Sequence, residues 1–125
     1  WPNKNDPYFL NIVLKCTTIL NPEELFVFIK KIEKFLGRSK SYRNAPRTCD
    51  IDIIDFNSLI LDCENIVLPH PKAHKRNFVL YPLKELSPHW LHPIFNKNID
   101  FYIKKLSIKL RNEITRLNEN DILIK

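Results

Sequence analysis

The chain has 125 residues, 44% of them hydrophobic, which suits one domain with a real core. Its single glycine excludes a glycine-rich phosphate loop, and three cysteines without a C-x-x-C spacing exclude a disulfide framework and a zinc ribbon. A net charge of +6 points to an anionic partner, leaving nucleic acid, phosphate-bearing metabolites and acidic lipid open.

Residues 1–7, WPNKNDP, are turn-rich and read as an irregular lead-in. Tyr8 to Ile19 is rich in β-branched and aromatic residues and predicts a strand. Its apolar run is interrupted by Asn11 and Lys15 and is too short to span a bilayer. Asn21-Pro22-Glu23-Glu24 combines an N-cap residue, a proline at the first helical position and a glutamate at the third. Leu25, Phe28, Ile29, Ile32, Phe35 and Leu36 follow at helical spacing, so an amphipathic helix is expected to end at Gly37.

Residues 38–48, RSKSYRNAPRT, form a basic stretch without apolar periodicity and read as a loop. Cys49 to Ile60 returns to strand character, with a hairpin turn near residues 57–59, and ENIVLPHP predicts a following short strand. Lys72 to Leu86 reads as a turn leading into a short helix that Pro88 closes. From Ile99 to Leu117 one helix is expected, with Ile99, Ile103, Leu106, Leu110 and Ile114 on one stripe.

The chemistry concentrates around Asp50 and Asp52. In a strand, alternate side chains share a face, so the two carboxylates project together with Cα atoms roughly 6.5 Å apart. Two like charges at the mouth of an apolar run call for a cation, and Mg²⁺ is the ion that carboxylate oxygens commonly hold. The competing explanation is a strand that merely starts at the wet surface. Four of the six arginines, Arg38, Arg43, Arg47 and Arg76, flank the pair in sequence, and guanidinium groups beside a carboxylate-bound metal suit a polyphosphate. His70 and His74 stand at metal-pair spacing, but Pro71 argues against the helix that would align them.

Two strings then carry a family resemblance. R-x-x-x-x-R-x-x-P-R-T-x-D-I-D-I-I over residues 38–54 and L-P-H-P-x-x-x-x-R-x-F-V-L-x-P-L over 68–83 resemble 6-hydroxymethyl-7,8-dihydropterin pyrophosphokinase of folate biosynthesis. PYFLN, NPEEL, IEKFLGR and LSPHWLHP extend the likeness across residues 2–93. The resemblance implies transfer of diphosphate from ATP to the hydroxymethyl oxygen of the pterin, with release of AMP. It implies two Mg²⁺ ions on Asp50 and Asp52, and a catalytic set of Arg38, Arg47 and the two aspartates. Glu33, Arg38, Arg43, Arg47, His70 and Arg76 would serve the nucleotide, while Phe9, Asn11 and Phe78 would hold the pterin. Asn44-Ala45 stands where the family often has Trp-Gly, which would remove an aromatic contact from the loop.

By the same resemblance the fold is α+β, a ferredoxin-like sandwich with an antiparallel sheet. The family's first strand and first helix have no counterpart in these residues, so we expect residues 1–125 to be a single pyrophosphokinase domain lacking its N-terminal portion. A weakened sheet and an incomplete pterin pocket would follow. The implied protein is a cytoplasmic monomer that acts on ATP and the pterin, with neither nucleic acid nor membrane as partner. Two other readings are an inactive homologue serving as a binding scaffold, and a basic nucleic-acid module that would bind mixed oligonucleotides in a salt-sensitive way.

Overall fold

The computed structural model of the protein describes residues 10–38 and 49–117, with Arg38 described by its backbone alone. Helix α1 spans Pro22–Glu33 and begins as its local sequence dictates. Asn21 Oδ1 accepts the Glu24 N–H at 2.8 Å, and Glu24 Oε1 accepts the Asn21 N–H at 3.0 Å. This reciprocal capping box satisfies two backbone donors that the first turn would otherwise leave unpaired. A wide turn over Lys34–Arg38 follows, in which Gly37 takes φ 99°, a conformation that a side chain would oppose.

The apolar stripe of α1 is only partly covered. Ile29 and Glu33 are buried, whereas Phe28 and Phe35, both assigned to the stripe, lie exposed. The two predicted strands also differ from what forms. Residues 10–18 and 49–55 belong to no paired strand, and Leu10, Ile12 and Leu14 are solvent-exposed. β-branched content favours an extended backbone, but a strand requires a neighbour to complete its ladder. The one sheet among the described residues is a short antiparallel pair, β1 (Leu61–Asp62) with β2 (Val67–Leu68), in the register Leu61 to Leu68.

A turn forms at residues 57–59 but closes no hairpin, since the antiparallel pair turns between Asp62 and Val67. Leu59 N–H donates to Phe56 O at 2.9 Å, and Asp55 Oδ1 accepts the Ser58 N–H at 2.9 Å. Asn57 and Ser58 both have positive φ, so the aspartate side chain supports a backbone that neither residue favours. After β2, His70 N–H donates to Ile54 O at 2.8 Å, which lays the chain leaving the hairpin beside the aspartate segment.

A single helical turn, Ala73–Lys75, then leads into α2 (Asn77–Leu86), matching the expected turn and short helix. The core lies where α2 meets α3 (Ile99–Lys105): Leu80, Leu83, Ile99, Tyr102 and Leu106 are buried together, with Val13 and Trp90 packed against them. The tail is not one helix. Leu106 is extended at ψ 143°, and Ser107 starts α4 (Ile108–Asn112) by accepting the Leu110 N–H at 3.1 Å. Arg111 seals the break by donating to Leu106 O at 3.2 Å and to Lys104 O at 3.0 Å. The serine hydroxyl offers a local cap that competes with helix continuation, and the guanidinium satisfies the carbonyls left open.

Candidate active site

The aspartate segment, the turn after β2 and the segment around Asn11–Val13 converge on one cleft of about 100 Å³. Asp50 and Asp52 line it from one side, and Ile54 continues the same face two residues on. Both carboxylates are exposed while Ile51 and Ile53 are partly buried, so the alternation expected from D-I-D-I holds even without a ladder. His70, Ala73 and Arg76 line the cleft from the turn, Phe78 and Val79 from the start of α2, and Asn11, Ile12 and Val13 from the N-terminal segment.

The segment carrying the acids is held in place by long-range bonds. Glu33, 1% exposed at the end of α1, accepts the Ile51 N–H through Oε2 at 2.8 Å. Its Oε1 accepts from Lys30 Nζ at 3.0 Å. At the far end of the segment, Asp55 Oδ2 accepts the Trp90 indole N–H at 2.8 Å.

His70 Nδ1 accepts the Lys72 N–H at 3.1 Å, which leaves Nε2 to carry the proton of the neutral ring. Burial lowers its pKa, the Arg76 and Lys72 charges lower it further, and Asp52 opposes them. At neutral pH this ring therefore offers one N–H donor. Arg76 lies over the Phe78 ring at 5.6 Å from its centroid, which orients the guanidinium while the aromatic face stays partly exposed.

Of the residues singled out from sequence, the cleft gathers Asn11, Asp50, Asp52, His70, Arg76 and Phe78. Glu33 does not line it, because its carboxylate is committed to Ile51 and Lys30 beneath. Phe9, Arg43, Arg47 and the Arg38 side chain lie outside the described residues. Sequence reasoning missed the apolar walls Ile12, Val13, Ala73 and Val79, and it missed Trp90 as the anchor of Asp55. An indole in the run S-P-H-W-L-H-P needs a buried acceptor, but its partner lies 35 residues away.

The donor set fits a hard cation. Two exposed carboxylates on one face provide oxygen ligands, with room in an open cleft for further oxygens from a ligand. Among the described residues no group of three or more histidine, cysteine, aspartate or glutamate side chains is placed to hold a metal ion. Arg76 and His70 add donors to the same cleft. No helix among the described residues is long and apolar enough to cross a membrane, and all three cysteines are free thiols.

Comparison with known proteins agrees with this arrangement. Residues 1–88 match the 7,8-dihydro-6-hydroxymethylpterin-pyrophosphokinase family. The chain is 38% identical to the 2-amino-4-hydroxy-6-hydroxymethyldihydropteridine pyrophosphokinase of Aquifex aeolicus over 109 residues, covering 87% of this chain and 68% of that protein. It is 44% identical to the Bacillus subtilis protein of the same name over 62% of this chain and 47% of that one. It is 45% identical to a folic acid synthesis protein of Dictyostelium discoideum over 68% of this chain but only 13% of that longer protein. With the aspartate pair, the turn carrying His70 and Arg76, and Phe78 meeting in one cleft inside the matched region, the chain belongs to the 7,8-dihydro-6-hydroxymethylpterin pyrophosphokinases, the diphosphate-transferring kinases of folate synthesis.

Proposed function

We propose that the protein transfers diphosphate from ATP to the hydroxymethyl group of 6-hydroxymethyl-7,8-dihydropterin, with AMP as the second product. The observation that carries this reading is the convergence of two carboxylates, one guanidinium, one imidazole and one open aromatic face on a single cleft. In the reaction the hydroxymethyl oxygen bonds to the β-phosphorus of ATP and gives up its proton to solvent, the bond from that phosphorus to the α-β bridging oxygen breaks, and AMP leaves with that oxygen.

Asp50 and Asp52 would hold Mg²⁺, which when bound lowers the charge on the phosphate oxygens. Arg76 and the His70 Nε2–H would donate to phosphate oxygens in the same cleft. Phe78 offers a flat apolar surface to a flat ring, and the Asn11 amide can bond that ring's polar edge. Arg38, Arg43 and Arg47 belong to the same reading as further phosphate ligands, Phe9 as a second face for the ring, and Glu33 as support for the acids. Catalysis then rests on positioning and charge rather than on a strong base. A ferredoxin-like sandwich, a monomeric state and a cytoplasmic location complete the reading.

AMP release from ATP, Mg²⁺ and the pterin tests it. The expected result is release that needs all three and falls more than about a hundredfold in Asp52→Ala, the scale of losing one charge-stabilising group. Asp52→Ala that releases AMP like the parent would remove the aspartate pair from the chemistry. A folded chain that binds neither ATP nor pterin would replace this reading with the scaffold.

A further inference from the structure

One buried polar atom, His74 Nδ1, has no hydrogen-bond partner among the described residues, and its ring neighbours that of the buried Tyr102 at 5.4 Å between centroids. His74 belongs to the turn Ala73–Lys75, between His70 and Arg76 of the cleft. Its ring stands edge-on to His92 at 4.9 Å and to Phe95 at 5.4 Å, so with Tyr102 three rings surround it.

His92 is 2% exposed and stitches its own loop: its Nδ1 accepts the N–H groups of Ile94 at 3.1 Å and Phe95 at 3.2 Å. That nitrogen can carry no proton while it accepts both bonds. The His92 ring also stacks on Phe95 at 4.6 Å and meets Trp90 at 5.7 Å, and Trp90 is the indole bonded to Asp55. The cage therefore touches both walls of the cleft. One side is the turn of His70 and Arg76, and the other reaches through Trp90 and Asp55 to the segment of Asp50 and Asp52.

The surroundings oppose a positive charge inside this cage. Burial lowers the pKa of His74, and Lys75 lowers it further. Burial lowers that of His92 too, His74 adds to the effect, and Asp55 opposes it. On its own turn His74 has Lys72, Lys75 and Arg76 as neighbours. Of the two helices packed on the turn, α3 carries Tyr102, Asp100, Lys104 and Lys105, while α2 carries Tyr81, Lys84 and Glu85. Lys84 is paired with Asp100, and Glu85 with Arg116, so those acids are already engaged.

We propose that His74 is a positioning residue of the cleft: as a neutral ring among His92, Phe95 and Tyr102 it holds the turn of His70 and Arg76 opposite the aspartate pair, and a proton on it releases that turn. The importance of this for nucleotide binding rests on the reading of the cleft given above, whereas the position of the turn can be measured without a ligand. Because a ring without a charge is what the cage takes, His74→Phe preserves the arrangement and His74→Arg disrupts it at every pH.

The test follows amide hydrogen exchange across pH in the whole chain and both variants, with Mg²⁺-ATP affinity measured beside it. The His70 and Arg76 amides donate to Ile54 and Ala73 and report the turn, and the Leu25 amide, bonded to Asn21 in α1, is the reference. In the parent, protection at the turn should fall by about tenfold per pH unit once one linked proton drives opening, while the reference stays constant. His74→Phe should show a clearly shallower dependence, the remainder coming from His70 and His92, and His74→Arg should show the open turn even at pH 8. An unchanged pH dependence in His74→Phe would overturn the proposal, as would parent-like protection in His74→Arg. Loss of protection at Leu25 in step with the turn would overturn it too, since the cage would then be ordinary core. If the amides respond as expected and none of the proteins binds ATP, the positioning role stands and the nucleotide reading fails.

Discussion

The Glu33 carboxylate accepts the backbone N–H of Ile51, 18 residues away, at 2.8 Å. Ile51 stands between Asp50 and Asp52, so a buried carboxylate at the end of α1 holds the backbone from which both acids of the cleft project. Buried to 1% exposure, this carboxylate accepts from both the Ile51 amide and Lys30 Nζ. Glu33→Ala should lower stability by about 1–3 kcal/mol, the cost of leaving a buried donor unpaired. Lys30→Ala should cost less than about 1 kcal/mol, because the lysine is half-exposed and water can replace it. Urea melts of the two variants give the comparison, and equal losses would contradict it.

Trp90 anchors the other end of the same segment. Trp90→Phe keeps the ring but removes the donor to Asp55, whose other oxygen continues to support the turn through Ser58. The expected loss is about 2 kcal/mol, typical of a hydrogen bond to a charged group. Mg²⁺-dependent ligand binding should weaken as well, although Trp90 lies outside the cleft, and titration of Mg²⁺-ATP into the variant measures that.

Asn77 joins α2 to the end of the chain's described fold. Its buried amide accepts the Phe78 N–H at 2.7 Å and donates to Leu110 O at 2.8 Å and Glu113 Oε2 at 3.3 Å. Asn77→Ala should cost about 1–3 kcal/mol. The loss should appear first as faster amide exchange in α4 with α1 unaffected, since the broken bonds link α4 to α2 alone.

Acid should destabilise the fold through its imidazoles. His70, His74 and His92 all have pKa values below the ordinary 6.5, and burial is the main cause for each. A base with a depressed folded pKa binds more protons when unfolded. Its contribution is therefore fully present above about pH 6.5, falls as the pH drops through the folded pKa, and then levels off. Urea midpoints should decline from pH 7 to pH 5, and His74→Phe should decline less steeply. A flat parent profile would contradict this assignment.

Where a signal was local, it was legible in the residues. Asn21, Pro22 and Glu24 start α1 wherever the chain goes, because the cap bonds join neighbours three apart. The turn at Asn57-Ser58, the short helix after the Arg76 turn, and the alternation of Asp50 and Asp52 against Ile51 and Ile53 are equally local. Two sequence strings were enough to point to the family, and they contain Asp50, Asp52, His70, Arg76 and Phe78, which line one cleft.

The sequence by itself thus determined capping, turn and face, since these depend on bonds and alternation within a few residues. Only the tertiary structure decided that residues 10–18 and 49–55 join no ladder among the described residues, that the tail breaks at Ser107, and that Phe28 and Phe35 stay exposed. It also decided that Glu33 serves Ile51, that Trp90 serves Asp55, and that His74 and His92 share one cage. Each of these depends on which distant surface or acceptor comes within a few ångströms, and neither propensity nor spacing along the chain contains that distance.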